Sequence, residues 1–160
     1  MPEAICNTSA LQYLHQLGQL ELLHEIYGRV TVPEAVAAEI AVGKAQGVDL
    51  PDLAALPWVR VQTAPPAAVA PRDLGAGEVG VLALAAVRPG AVAVLDDGLA
   101  RRYARLARIR FTGTCGILLR GKQRGLVPAV KPLLDQLARL GFRLDSGTRA
   151  SALKLAGEAD

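Results

Sequence analysis

Four acidic positions stand out by where they fall. Asp96 and Asp97 follow directly on a continuous apolar run, residues 91–95. Adjacent carboxylates repel each other unless a cation lies near. Capping of the following helix accounts for one of the two, but not readily for both. Glu78 shares a helix face with Val81, Leu82 and Ala85, three, four and seven residues on. It is therefore a charge at the edge of an apolar stripe, where an isolated carboxylate is costly and is usually paired or metal-bound. The alternative is a first-turn glutamate favoured by the helix dipole and reaching water. Glu39, between Ala38 and Ile40, sits on the shoulder of another apolar stripe, and alone it reads more readily as an ordinary surface residue. Taken together, four carboxylates from three elements suit a hard cation with oxygen ligands, Mg²⁺ or Mn²⁺. Such an ion lowers the pKa of bound water and stabilises charge on a phosphoryl oxygen.

These side chains can meet only if the elements that carry them share an edge. Apolar periodicity predicts helices around residues 8–17, 19–27, 33–43, 78–87, 99–107, 115–122, 127–140 and 148–156, the last within a C-terminal helix bounded at about 147–157. Short apolar runs predict strands at 4–6, 29–32, 58–62, 91–95 and 109–111, with a last one at 142–144. Pro33 is expected at the first position of the third helix and Gly43 at its end. Strands alternating with helices imply an α/β fold: a three-layer α/β/α sandwich with a mainly parallel central sheet. Residues 45–71, with five prolines, read as an excursion within one domain spanning 1–160. In an open parallel sheet ligands sit beyond the carboxyl ends of the strands. Three small polar clusters fall there: Asn7-Thr8-Ser9, Asp96-Asp97 and Thr112-Gly113-Thr114. At least one of Thr112 and Thr114 is expected to be only a helix cap.

The chain has 160 residues, 51% of them apolar but only 4% aromatic, so its core must be built from Leu, Val, Ile and Ala. No apolar run approaches the roughly 20 residues that span a bilayer, and the first residues lack the basic and apolar regions of a signal peptide. A cytoplasmic protein without membrane attachment is the expectation. Cys6 and Cys115 lie far apart, with neither a Cys-x-x-Cys pair nor a histidine at metal spacing, which argues against structural zinc. His15 and His24 lack an acidic partner at a telling distance. No P-loop or dinucleotide fingerprint is present.

The net charge is only +3, but from Arg101 to Arg124 there are eight basic residues and no acidic one. That segment is either a phosphate-facing surface or a solvated arginine-rich helix face. Arg101, Arg105 and Arg108 are expected on about one face of the helix leaving Asp97, where they would guide an RNA backbone.

Five stretches, ICNTSAL, VPEAVAAEI, GAGEVGVLALA, VLDDGLARR and FTGTCGILL, occur in the order and spacing of a PIN-domain protein. The chain resembles that superfamily over about residues 3–157, and most of all an uncharacterised prokaryotic subfamily of nucleic-acid-binding type. The later stretch KQRGLVPAVKPLLDQLARLGFRL is also similar to it. The resemblance implies a Rossmann-like sandwich and a Mg²⁺- or Mn²⁺-dependent endoribonuclease, in many members a toxin of the VapC type paired with a small antitoxin-like protein. It implies catalytic roles for Glu39, Glu78 and Asp97, metal ligation by Asn7, Glu78, Asp96 and Asp97, and a supporting hydroxyl at Thr8. Asn7 departs from the pattern, since PIN nucleases usually carry Asp there. An amide offers an oxygen but no charge, which puts catalysis in doubt more than the fold. Two other functions follow from that departure: an RNA-binding or regulatory module without turnover, or an interaction domain whose acidic pocket accepts a partner's Arg. The apolar helices near residues 11–27 suit either a homodimer interface or plain core packing.

Overall fold

The computed structural model describes residues 2–67 and 71–160. Five strands, β1 (Ala4–Cys6), β2 (Val30–Pro33), β3 (Val59–Gln62), β4 (Val92–Val94) and β5 (Arg110–Thr112), form one sheet in the order β3-β2-β1-β4-β5. Every pairing is parallel. The helices are α1 (Thr8–Gln16), α2 (Glu21–Tyr27), α3 (Glu34–Ala45), α4 (Ala76–Ala86), α5 (Gly98–Leu106), α6 (Thr114–Gln123), α7 (Lys131–Arg139) and α8 (Ser146–Leu155), with one 3-10 turn at Leu53–Ala55.

The inner strands β1, β2 and β4 are buried at every residue. Side chains alternate between the two faces of a strand, so both faces are covered, as a parallel sheet requires. Helix α4 lies against β1, β2 and β4 with α3 and α5 beside it; α2 packs on β2 and α6, and α8 packs on α6. Leu11, Leu14, Leu22, Leu23, Ile26 and Tyr27 all enter this core, so core packing accounts for the apolar character of the first two helices. Among the described residues, no helix is long and apolar enough to cross a membrane.

The chain runs outward from β1 through β2 to β3, then returns to lay β4 on the other side of β1. The resulting switch point lies between β1 and β4, where Cys6 pairs with Val94. The crevice expected at such a point opens beyond Asn7 and Asp96.

Several boundaries differ from the sequence reading. Pro33 is the last residue of β2 and precedes α3 rather than opening it. Helix α3 passes through Gly43, where a Cβ would stand 2.5 Å from Leu50 Cδ1; the positive φ of 87° falls at Gly47. Gly43 thus serves close packing, and Gly47 makes the turn. Helix α7 begins at Lys131, later than expected. The Glu158 carboxylate accepts from the Val130 and Lys131 backbone N–H groups at 2.7 and 3.0 Å, capping the helix from the far end of the chain. These bonds and the Lys122 ammonium hold Glu158 well below the usual carboxylate range, at about 2. Residues 142–144 form no strand. The Phe142 ring meets Tyr13 of α1 edge-on, at 5.0 Å between centroids, so its apolar surface packs against a helix rather than in the sheet.

Candidate functional site

Four helix N-termini converge where β1, β4 and β5 end: α1 starts after Asn7, α4 after Gly75, α5 after Asp97 and α6 after Gly113. Each presents backbone N–H groups with no partner inside the helix, and a partial positive charge. The carboxylates use these groups. Glu39 accepts from Gly77 N–H at 3.0 Å and from the Thr8 hydroxyl. Glu78 reaches back to Gly75 N–H at 3.1 Å, the glutamate half of a capping box. Asp97 caps its own helix through Ala100 N–H at 2.9 Å. Asp96 caps a different helix, accepting from Thr114 N–H and the Thr114 hydroxyl, both at 2.7 Å, and from the Ser9 hydroxyl at 2.8 Å.

Capping therefore accounts for both aspartates, contrary to the sequence expectation, because the second aspartate is used by a helix that starts 18 residues later. Thr114 is fully buried and serves Asp96. Thr112 makes no hydrogen bond to these acids; its hydroxyl lies where a Cβ on Gly116 would fall.

Glycine permits two of the approaches. A Cβ on Gly77 would stand 2.7 Å from Glu39 Oε2, and one on Gly113 would stand 2.8 Å from Asp96 Oδ1. Neither glycine, nor Ser9, was singled out by sequence for this role. For Gly77 the available signal was a glycine in the first helical turn, where it weakens the helix and so asks for a reason in close approach; Gly113, at an N-cap position, gave no such signal.

A cleft of about 740 Å³ lies over this edge, lined among others by Asn7, Thr8, Ser9, Glu78, Asp96 and Asp97. Glu39 stands beside it at the foot of α4. Asn7 is 7% exposed and makes no side-chain cap. Burial, with the charges of Asp97 and Glu39, raises the pKa of Glu78, and the Gly75 N–H opposes the shift only in part. The acids are thus close enough to repel. Among the described residues, none of the four forms an ion pair.

Among the described residues, no three His, Cys, Asp or Glu side chains form a group that could hold a metal ion by themselves. The donor chemistry fits an open site instead. Glu39 and Asp96 have both oxygens engaged, whereas Glu78 and Asp97 each keep one oxygen without a partner among the described residues. Mg²⁺ is ordinarily held by one or two carboxylates, with waters and substrate phosphate completing its shell. Two carboxylates and one neutral amide match that requirement.

The environment of both cysteines favours the protonated thiol. Burial and the Asp96 charge push the Cys6 thiol far above its ordinary range and Cys115 up to about 12. His15 does find an acid, Asp49 at 2.9 Å, but away from the cleft. His24 stacks on Trp58 at 5.4 Å.

The arginine face expected on α5 is not formed as drawn. Arg108 lies beyond the helix, in a turn with φ of 58°. Arg101 and Arg105 both lie over the Phe111 ring, at 5.0 and 5.4 Å. Cation–π contact of this kind holds a guanidinium in place while leaving its charge uncancelled.

A family model described as a PIN domain matches residues 3–158. No curated protein and no solved structure matches the chain significantly.

Proposed function

The chain belongs to the PIN-domain family, and on that premise we propose that it is a Mg²⁺- or Mn²⁺-dependent endoribonuclease. The observation that carries the reading is that Glu78 and Asp97 line one cleft at the switch point of the sheet, each with a carboxylate oxygen that has no partner among the described residues. Glu78, Asp97 and the amide oxygen of Asn7 would hold the ion. When bound, it would supply charge to the scissile phosphodiester and lower the pKa of a water.

The residues of the chain divide the remaining work. Asp96 locks α1 to α6 through Ser9 and Thr114, and so fixes the separation of Asn7 from Asp97. Glu39 fixes the start of α4 through Gly77, and with it Glu78. Both act as positioning residues. The helix N-termini favour an approaching phosphate, and Arg101, held over Phe111 and close to the Asp96 loop, offers charge that no ion pair among the described residues cancels. A toxin role with an antitoxin-like partner is the finer form of this proposal, and a small reading frame beside the gene would support it.

Asn7 favours a second reading. With an amide in place of the usual acid, the site is one charge short, and RNA binding without turnover becomes the alternative. Incubation of the purified protein with single-stranded RNA and Mn²⁺, with and without EDTA, separates the two. Cleavage by the wild type that EDTA abolishes and Asp97→Asn lacks supports the nuclease. Binding without cleavage, with cleavage gained by Asn7→Asp, supports the module. Absence of Mn²⁺ binding by calorimetry in both proteins would falsify the site.

A further inference from the structure

A second cleft, of about 320 Å³, opens beside the first. The two share Asp96, Phe142 and Arg143, so the segment at residues 142–143 is the partition between them. Their chemistry differs. The first is lined by acids. The second has Arg101 on one wall and Arg143 at the partition, balanced by Asp96 and Asp145, and a mixed floor in which Leu119 and Ala152 lie among hydroxyl side chains. Among the described residues neither arginine forms an ion pair. Arg101 is held over the Phe111 ring, and its Nη1 lies 3.9 Å from where a Cβ on Gly113 would stand. It is therefore positioned close to the Asp96 loop without being neutralised by it.

An RNA strand that places one phosphate at Glu78 and Asp97 brings more negative charge to an already acidic cleft. Its neighbouring phosphate needs cationic contacts, and the guanidiniums at the partition are placed to provide them. A base next to that phosphate has a recess within reach that offers both aliphatic surface, at Leu119 and Ala152, and polar groups, at Thr148 and Asp145. We propose that the second cleft receives the base of the nucleotide flanking the scissile phosphate, with Arg101 and Arg143 gripping the phosphate between the two clefts. The proposal rests on the ribonuclease reading above and adds to it a contact with the nucleotide that flanks the scissile phosphate. A duplex keeps its bases stacked and paired, and could not offer one to a recess.

The test measures binding of a short single-stranded RNA in EDTA, and Mn²⁺ binding separately without RNA. Ser151 is exposed at the rim of the second cleft, so Ser151→Trp fills the recess from outside the core. An abasic nucleotide at the flanking position is expected to weaken wild-type binding about tenfold, in the range of one base contact. The same lesion should cost Ser151→Trp almost nothing, because its recess is already closed. Arg143→Ala and Arg101→Ala should each weaken binding several-fold more than Arg102→Ala, an exposed α5 control that lines neither cleft. An equal abasic penalty in wild type and Ser151→Trp overturns the base recess. Arginine variants no worse than the control overturn the clamp. Loss of the metal reading looks different: Mn²⁺ fails to bind, while the RNA results in EDTA stand.

Discussion

Two acidic regions of this sheet are built in opposite ways. Glu3, entering β1, takes Arg88 Nη1 on both oxygens at 3.1 Å and the Thr31 hydroxyl at 2.7 Å. Arg88 also reaches Gln62. The pair is partly buried, with 21% of Glu3 and 30% of Arg88 side-chain surface exposed. There a carboxylate is neutralised by a side-chain cation. At the carboxyl ends of the strands, the partners of four carboxylates among the described residues are backbone N–H groups at helix N-termini and hydroxyls. Where an acid ties strands together it is paired with an arginine. At the switch point the arrangement fixes the acids in place and leaves negative charge over. Burial, and to a lesser degree the Asp97 and Glu39 charges, raises the pKa of Glu78 there.

The contrast can be broken from either side. The largest effect is expected from Asp97→Asn. Asparagine caps a helix as well as aspartate does, so α5 should persist and stability should change little. Losing even an outer-shell partner of a metal costs 10- to 100-fold; losing the charge of a direct ligand should cut Mn²⁺-dependent cleavage by about 100-fold or more, read from initial rates on a labelled RNA. Unchanged rates would remove Asp97 from the site.

Next in size, Arg88→Ala should lower stability by about 2–3 kcal/mol in urea denaturation, because it strands a partly buried carboxylate. Mn²⁺ affinity should be untouched. An equal loss in both measurements would mean that the two regions are not independent.

Asn7→Asp sharpens the comparison by adding a fifth acid to the uncompensated edge. Metal-free protein should lose up to about 1 kcal/mol from like-charge repulsion, and Mn²⁺ affinity by calorimetry should rise about tenfold, equivalent to about 1.4 kcal/mol. Affinity that falls instead would place Asn7 outside the coordination sphere.

The smallest effect concerns Glu78. Its folded pKa is raised from 4.5, so the folded chain binds this proton better than the unfolded chain does. The stability contributed by protonated Glu78 is full below about 4.5 and is lost as pH climbs through the raised value. Without metal, Glu78→Gln should therefore be slightly more stable than wild type at neutral pH, by about 0.5 kcal/mol or less. With Mn²⁺ the order should reverse, since the variant loses stabilisation by the ion. Thermal melts at pH 4.5 and 7.5, each with and without Mn²⁺, give all four comparisons. A variant that Mn²⁺ stabilises as strongly as wild type would argue against ligation by Glu78.

Much of the frame was legible in the chain. The runs at residues 4–6 and 91–95 are apolar without alternation because both faces of those strands are buried. The polar residues that end them lie at the crevice because a parallel sheet puts all its carboxyl ends on one side. Glu78 was legible as a charge beside an apolar stripe. Less was legible where a residue answers to a distant one. Gly43 resembled a helix stop and is a packing contact for Leu50. Residues 142–144 had strand composition, yet an aromatic contact to α1 claims Phe142. The arginine spacing suggested one helix face, but α5 ends before Arg108.

The sequence by itself determined the order of elements, the aliphatic core and the placing of acids where strands end, because these follow from local periodicity and from burial. Only the tertiary structure decided which carboxylate oxygens are spent and which are free. Ser9 and Asp96 are 87 residues apart, Gly77 and Glu39 38 apart, and each pair meets only because helix N-termini converge on the switch point. Hydrogen bonds between such distant partners leave no periodic trace in the chain. They nonetheless make Glu39 and Asp96 the supports and leave Glu78 and Asp97 with oxygens to offer.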